Sequence, residues 1–332
     1  MRPVEVFGAR FHNPVMLAAG TCGFGREVAG VIDLEALGGL VTKSVTMAPR
    51  TGNPAPRVAE FGAGMINSIG LANPGVEVVA DQKLPWLARL DRARVFVSVA
   101  GHSADEYVAL VERLADCPGF VAFELNLSCP NDSRLGGRAF SLDRPALEEV
   151  IRRCRSVTAR PLIAKLAPND PDLTETALAA VASGADGLTL INTLPGRVLE
   201  PADGHPRIGA GQGGMSGPGL RPVGVHAVHA VSRVVDVPVV GVGGILSTEH
   251  AVEYLRAGAT LVQMGTASFA SPRAAERVAR GLEREVRLPP PWGDGPGGPA
   301  RPRGPEGSRV SGGSSESNGS GDSAAGPEGP ST

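Results

Sequence analysis

FVAFELNL (residues 120–127), DRPALEEVIRRCRSV (143–157) and PLIAKLA (161–167) follow one another along the chain, and this stretch decides the fold. The first and third segments are mainly apolar runs of strand length that do not alternate with polar residues at every second position. The second has apolar residues near every third or fourth position, as a helix with one buried face does. Strands that are apolar on both faces are expected in a parallel sheet covered by helices. The stretch therefore predicts a β-α-β unit.

The same alternation extends along most of the chain. Eight apolar runs are candidate strands, at residues 15–19, 40–43, 94–100, 120–127, 161–167, 186–192, 237–243 and 260–265, and helix-like stretches lie between them. Several of these stretches open on Ser or Asp, which are favourable N-cap residues. Eight such units within about 285 residues match the length and rhythm of an α/β protein of the (β/α)8 TIM-barrel type. A doubly wound open sheet is the alternative.

Composition predicts a single catalytic domain over residues 1–287 and a disordered tail over residues 288–332. About two thirds of the residues from 289 onward are Gly, Pro or Ser, so few apolar side chains are left to offset the entropy of ordering. The formal net charge of −2 gives no basic field, which disfavours a nucleic-acid partner. We also expect a cytoplasmic protein without a membrane span or secretory signal, because no apolar run reaches roughly 20 residues and the cysteines form no CxxC pair.

In a TIM barrel the chemistry lies at the carboxyl ends of the strands. Polar or small residues stand at those ends here: Ala19 and Gly20, Lys43 and Ser44, Ser98, Asn126 with Ser128 and Cys129, Lys165, Asn192 and Thr193, Gly243 and Gly244, and Gly265 and Thr266. A lysine in an apolar strand is costly unless it meets negative charge. Lys43 and Lys165 therefore each indicate a bound anion or, alternatively, a barrel carboxylate such as Glu124.

Two glycine-rich loops late in the chain predict a phosphate site. GVGG precedes STEHAVEYL and MGTAS precedes the final helix, so backbone N–H groups are expected at helix starts, where phosphate binds well. The loops after the seventh and eighth strands are also the usual phosphate site of this fold. Turn glycines without a ligand are the alternative. A GxGxxG match at Gly209, Gly211 and Gly214 does not follow a strand in a β-α-β unit, so we predict no nicotinamide-binding domain.

Cys129 is the candidate catalytic residue. It follows the Asn-rich end of the fourth strand, and a thiol becomes a base or nucleophile where the site stabilises its thiolate. Isolated cysteines are more often core residues, which we expect of Cys117 and Cys154, whereas Cys22 is expected to line the site passively. Two histidines, at 226 and 229, share a helix face without a third ligand in register, so no metal site is predicted.

Nine segments together resemble the dihydroorotate dehydrogenase family over residues 4–285. They are AGTCGFG (19–25), TKSVT with PRTGNPAPR (42–57), NSIGLANPG (67–75), ELNLSCPN (124–131), AKLAPN (164–169), INTLPG (191–196), GGMSGPG (213–219), VVGVGGI (239–245) and VQMGTASF (262–269). The resemblance implies an FMN enzyme that oxidises (S)-dihydroorotate to orotate in de novo pyrimidine (UMP) biosynthesis. It implies Cys129 as the base opposite the flavin.

The family's pattern also implies two sets of binding residues. It implies FMN held by Ala19, Gly20, Lys43, Ser44, Ser98, Asn126, Lys165, Ile191, Gly217, Gly243, Gly244, Gly265 and Thr266. It implies a substrate site made by Lys43, Asn67, Ser68, Ile69, Gly70, Leu71, Asn126, Asn131, Asn192 and Thr193. Ser98 stands where relatives usually carry Asn, so this flavin contact departs from the pattern.

The cysteine base and the lack of an N-terminal amphipathic extension resemble the soluble class 1 enzymes. Within that class, PRTGNPAPR, INTLPG and GGMSGPG resemble the catalytic subunit of the NAD-linked type. That type implies a homodimeric core and a partner iron-sulfur FAD subunit, in a heterotetramer of two catalytic and two electron-transfer subunits. The alternatives are a fumarate-using homodimer, another flavin barrel such as a dihydropyrimidine dehydrogenase or a tRNA dihydrouridine reductase, and a catalytically silent scaffold barrel.

Overall fold

Eight parallel strands close into a barrel in the structure, a computed structural model that describes residues 3–62, 64–128 and 139–284. The strands in chain order are β1 (Val4–Val6), β2 (Ala9–Phe11), β3 (Val15–Leu17), β4 (Gly39–Val41), β5 (Val58–Phe61), β6 (Gly64–Asn67), β7 (Arg94–Val99), β8 (Ala122–Asn126), β9 (Leu162–Leu166), β10 (Gly187–Leu190), β11 (Leu194–Gly196), β12 (Gly213–Ser216), β13 (Val239–Val242) and β14 (Leu261–Met264). The helices are α1 (Val76–Val78), α2 (Leu84–Leu87), α3 (Ala104–Leu114), α4 (Arg144–Ser156), α5 (Leu173–Ala182), α6 (Arg221–Val231), α7 (Thr248–Ala257), α8 (Ala267–Ala270) and α9 (Ala274–Arg284).

The barrel strands follow one another around the ring in chain order. They are β3, β4, β7, β8, β9, β10, β13 and β14, and β14 pairs with β3 to close the sheet. Each coincides with one of the predicted apolar runs to within one or two residues at its ends. The prediction of a (β/α)8 TIM barrel is confirmed, and the open-sheet alternative is wrong because this sheet is closed.

The helices outside the barrel begin where the sequence predicts. Ser103, Asp143 and Ser247 precede α3, α4 and α7, and each side chain accepts a hydrogen bond from a backbone N–H of the first turn. The first unit differs, since a 3-10 turn at Leu34–Ala36 replaces its helix. The segment before this turn contains several glycines, and those at positions 20, 23 and 25 have positive φ, which a regular helix does not accommodate.

An apolar layer fills the amino end of the barrel interior. It includes Met16, Phe96 and Ile163, all buried. The hairpin of β1 and β2 closes this end, because Phe7 and Phe11 pack edge-on against Phe96 at ring-centroid distances of 5.7 and 6.0 Å. Burial of these aromatic side chains stabilises the closed end of the barrel.

A polar layer lies next to it, nearer the carboxyl ends of the strands. It consists of Ser98, Glu124, Lys165, Thr189 and Gln263, all of them buried. Four of these residues follow an apolar-layer residue of the same strand by two positions, and that spacing returns a side chain to the same face of a strand. The polar layer therefore separates the apolar end of the barrel from the end where the chemistry of this fold occurs.

A second sheet, antiparallel and in the order β11-β12-β6-β5, is built from the segments that follow β4 and β10. The sequence did not predict it. In the described ranges, no helix combines the length and the apolar character that crossing a membrane requires. The predicted domain boundary at residue 287 and the predicted tail lie outside the described residues and stay predictions.

Candidate active site

A cavity of about 730 Å³ lies at the carboxyl ends of the barrel strands. This volume is in the range of small-molecule and cofactor sites, roughly 300–1,000 Å³. Twelve of the thirteen residues predicted to hold a flavin line it: Ala19, Gly20, Lys43, Ser44, Asn126, Lys165, Ile191, Gly217, Gly243, Gly244, Gly265 and Thr266. The described residues predicted to hold the substrate line the same cavity: Lys43, Asn67, Ser68, Ile69, Gly70, Leu71, Asn126, Asn192 and Thr193.

Ser98 and Cys22 do not line the cavity. Ser98 is fully buried in the polar layer, and its hydroxyl lies 2.8 Å from that of Ser44, so the structure puts it behind Ser44. The Cys22 Sγ donates to the carbonyl of Val41 at 3.4 Å, and burial raises the pKa of this thiol to about 12. Cys22 is therefore a core thiol, and the expectation that it lines the site is wrong. The predicted base Cys129 and the predicted substrate ligand Asn131 lie outside the described residues.

Hydrogen bonds fix two of the cavity-lining asparagine amides, those of Asn126 and Asn192. Asn126 donates from Nδ2 to the Ser44 Oγ at 3.2 Å, and its backbone carbonyl accepts from the Tyr107 hydroxyl at 2.7 Å. Asn192 donates from Nδ2 to the Asn126 Oδ1 at 3.1 Å and also to the Ser128 Oγ. Polar side chains that are held in one orientation can present donors and acceptors to a flat polar ligand without first being ordered.

Two lysines line the cavity in different surroundings. Lys165 is only 6% exposed, and its Nζ lies 3.3 Å from the Oε1 of the fully buried Glu124. The alternative that a barrel carboxylate pairs with a lysine is therefore confirmed for Lys165. Lys43 lines the cavity beside Gly20, and a Cβ atom built on that glycine would lie 4.0 Å from the Lys43 Nζ. Gly20 and the Lys43 ammonium group therefore lie side by side in the cavity wall.

Glycines with positive φ form one side of the cavity. Gly217, Gly243 and Gly244 have φ values of 116°, 129° and 66°, a region that side chains other than glycine rarely adopt. Tyr254 supports this segment, because its hydroxyl donates to the carbonyl of Gly243 at 2.7 Å. Burial raises the pKa of Tyr254, so its hydroxyl stays a donor. The result is a wall of held backbone without side chains, as a phosphate site requires.

Other residues at the mouth of the cavity were not predicted. Arg50 and Asn53 line it, and the Nη1 of Arg50 lies 2.5 Å from the Nε2 of His102. Leu246 and Phe269 also line it and are 41% and 56% exposed. These residues follow the strand ends by several positions, so inspection of strand ends does not find them. Across the described residues, no three His, Cys, Asp or Glu side chains are grouped as metal ligands would be.

Comparisons with known proteins agree with this geometry. The profile of the family described as dihydroorotate dehydrogenase matches residues 1–286. A protein of Desulforudis audaxviator is 47% identical over 281 residues, which cover 85% of this chain and 91% of that protein. Proteins of Pelobacter propionicus and Bacillus pumilus are each 44% identical, over 85% and 82% of this chain and over 92% and 87% of their own length. All three are named dihydroorotate dehydrogenase B (NAD(+)), catalytic subunit.

Proposed function

The chain belongs to the dihydroorotate dehydrogenase family, and from that membership we propose that it oxidises (S)-dihydroorotate to orotate, with FMN as its cofactor, in the de novo synthesis of UMP. As a member of the family it is an oxidoreductase that acts on a CH–CH bond. One observation supports the proposal most: the described residues of the substrate set, and all of the flavin set except Ser98, line a single cavity. A cofactor and a substrate that react with each other must share such a space.

The residues present fit FMN. Gly217, Gly243 and Gly244 line the cavity with backbone, and their segments lie so close together that a Cβ on Gly244 would lie 2.8 Å from the carbonyl oxygen of Gly217. We propose that this wall holds the phosphate. Ser44, Asn126 and Lys165 would bind the ring system, where the Lys165 ammonium group stabilises negative charge. When bound, FMN would supply the acceptor for the two electrons of the oxidation.

The substrate is a flat anion, and the cavity lining includes Lys43 and several oriented amides that suit it. Lys43 would pair with the carboxylate, while Asn67 and Asn192 would hydrogen-bond the ring amides. Asn67 is itself held, because its Nδ2 donates to the carbonyl of Gly214 at 3.2 Å. Cys129 would act as the general base that removes the proton from C5 of dihydroorotate.

We propose that electrons leave through a second protein to NAD. The relatives' names include the words catalytic subunit, which supports a separate partner. This chain carries no cysteine cluster for iron-sulfur ligation and no dinucleotide motif after a strand, so the partner would supply both an iron-sulfur centre and FAD. Two catalytic subunits would form the core and each would bind one partner.

Replacement of the base tests the mechanism. Cys129→Ala should leave a protein that binds FMN and orotate but turns over dihydroorotate at least about a hundredfold more slowly, the usual contribution of a positioned base. Cys117→Ala is the matched control, since Cys117 is half-buried and does not line the cavity. Near-normal turnover by the Cys129 variant would remove this thiol from the role of base.

A comparison of substrates tests the reaction itself. The protein should oxidise dihydroorotate and leave dihydrouracil unreacted, because dihydrouracil lacks the carboxylate that Lys43 would bind. Preferential reaction with dihydrouracil would favour a dihydropyrimidine dehydrogenase. Reduction of NAD only when a second flavoprotein is added would support the NAD-linked type, whereas reduction of fumarate by this chain alone would support the homodimeric type.

A further inference from the structure

One carboxylate in the polar layer accepts hydrogen bonds from three strands. The Oε1 of Glu124 lies 3.3 Å from the Nζ of Lys165. Its Oε2 accepts from the Thr189 hydroxyl at 3.0 Å and from the Gln263 Nε2 at 2.9 Å. Glu124 stands on β8 and Gln263 on β14, strands that are not neighbours in the sheet. The contact between them therefore crosses the barrel interior, directly below the cavity that Lys165 lines.

The surroundings of Glu124 are built for a charged carboxylate. Its side chain is fully buried, and a buried carboxylate is costly unless charge and hydrogen bonds compensate it. Lys165, Thr189 and Gln263 all act as donors here, which suits an acceptor-only ionised group. Gln263 directs its amide nitrogen at Glu124, although its own Oε1 is buried without a hydrogen-bond partner. The reverse orientation would place the amide oxygen of Gln263 against the carboxylate of Glu124, where the two would repel each other. The orientation of the Gln263 amide is therefore the one that a charged carboxylate favours.

The position of Lys165 depends on this carboxylate. A lysine side chain has several rotatable bonds and a compact charge, so it needs a fixed partner to hold one place. Glu124 is that partner, and it lies on the side of Lys165 away from open solvent. The ion pair as a whole is neutral. Lys165 therefore presents fixed hydrogen-bond donors to the cavity, and the negative charge of Glu124 behind it compensates its positive charge.

We propose that Glu124 is a positioning residue that fixes Lys165 at the floor of the cavity and limits the positive charge that a bound flavin experiences. The inference rests on the proposed function only in that FMN must occupy the cavity. Its consequence is electronic: with Glu124 neutral, Lys165 would present a full positive charge. Negative charge on the pyrimidine part of the flavin would then be stabilised more strongly than in the unaltered protein.

Sulfite binding measures this effect without any turnover. Sulfite adds to oxidised flavin and leaves negative charge on the pyrimidine part of the ring, so its Kd reports the local positive charge. Glu124→Gln keeps the shape of the side chain and removes its charge. We expect the sulfite Kd to fall about tenfold, and the two-electron midpoint potential of the flavin to rise by about 30 mV, the equivalent of a tenfold change.

Two further variants separate the charge of Glu124 from its structural contribution. Thr189→Val removes one hydrogen bond to the same carboxylate and leaves its charge, so thermal stability should fall while the sulfite Kd stays within about twofold of the unaltered protein. Glu124→Asp keeps the charge but draws it away from Lys165, and should lower the sulfite Kd by about threefold. The Asp variant carries the test if the Gln variant does not fold.

An unchanged sulfite Kd in the Gln variant, or in the Asp variant where only that one folds, would overturn the proposal and leave Glu124 with a structural role alone. An equal shift in the Thr189 variant would overturn it as well. The test is independent of the substrate assignment. A protein that binds FMN and fails to oxidise dihydroorotate would refute the proposed reaction while the sulfite titration still decides the role of Glu124.

Discussion

Gly244→Ala tests the proposed phosphate wall with a single methyl group. The Cβ atom of this alanine would lie 2.8 Å from the carbonyl oxygen of Gly217 and 2.8 Å from the backbone N of Arg221. Those distances are shorter than any normal contact, and both neighbours are backbone atoms. The residue must also keep a φ of 66°, which costs an alanine roughly 1–2 kcal/mol.

The cost should appear mainly in cofactor binding. In the variant without FMN, we expect the segments of Gly217 and Gly244 to move apart and relieve the contact. Binding requires them to return, so the strain opposes it. Taking about 2 kcal/mol for the backbone and contact together, we expect the Kd for FMN to rise about thirtyfold.

Titration of the apoprotein with FMN, followed by quenching of flavin fluorescence, measures this Kd directly. Gly219→Ala is the matched control, because a Cβ atom there meets nothing within 4 Å and should leave the Kd within about twofold. An FMN affinity in the Gly244 variant equal to that of the control would refute the assignment of this wall to the phosphate.

Three further predictions concern stability and reactivity. Phe11→Ala should lower the free energy of unfolding by about 4 kcal/mol, because this fully buried ring closes the amino end of the barrel. Urea denaturation measures this free energy. A loss below about 1 kcal/mol would contradict that role. A hydrogen bond from Arg273 holds the pKa of Glu276 below its usual range, so the stabilisation from its charge is fully present above the ordinary glutamate pKa and is lost as the pH falls through the lowered value. Glu276→Gln should therefore destabilise the protein at pH 7 by about 2 kcal/mol, and the loss should shrink as the pH is lowered below the ordinary glutamate pKa. A loss that stays the same over that pH range would count against this role. Burial raises the pKa of Cys22 and Cys154 to about 12, so iodoacetamide should alkylate neither thiol at pH 8 in the folded protein. Mass spectrometry of peptides measures the labelling. Rapid labelling of either cysteine would contradict its burial.

The sequence predicts the barrel well because its strands are buried on both faces. Such strands are continuous apolar runs, like VMLAA (15–19), and their length separates them from helices. The second sheet was missed for the opposite reason. Its strands have three or four residues, and segments such as GGMS (213–216) are half-buried and rich in glycine, so they show neither an apolar run nor an alternation.

Some of the site residues were predicted from the family resemblance and the others from their position at strand ends, and most of them do line one cavity. The position of a residue at a strand end predicts the end of the barrel at which it lies, but it does not predict the direction of the side chain. Ser98 is therefore placed correctly along β7 and yet lies behind Ser44. The sequence left the partner of Lys165 open, because the contact with Glu124 depends on the register between β8 and β9. Arg50 and His102 meet across 52 positions of sequence, and no local pattern indicates that contact.

Anaerobic addition of (S)-dihydroorotate to the purified FMN-loaded protein, without any partner subunit, is the decisive experiment for the proposed reaction. The absorbance of the oxidised flavin should be lost, and one orotate should be formed for each flavin reduced. A flavin that stays oxidised in the presence of dihydroorotate, or that dihydrouracil reduces equally fast, would contradict it.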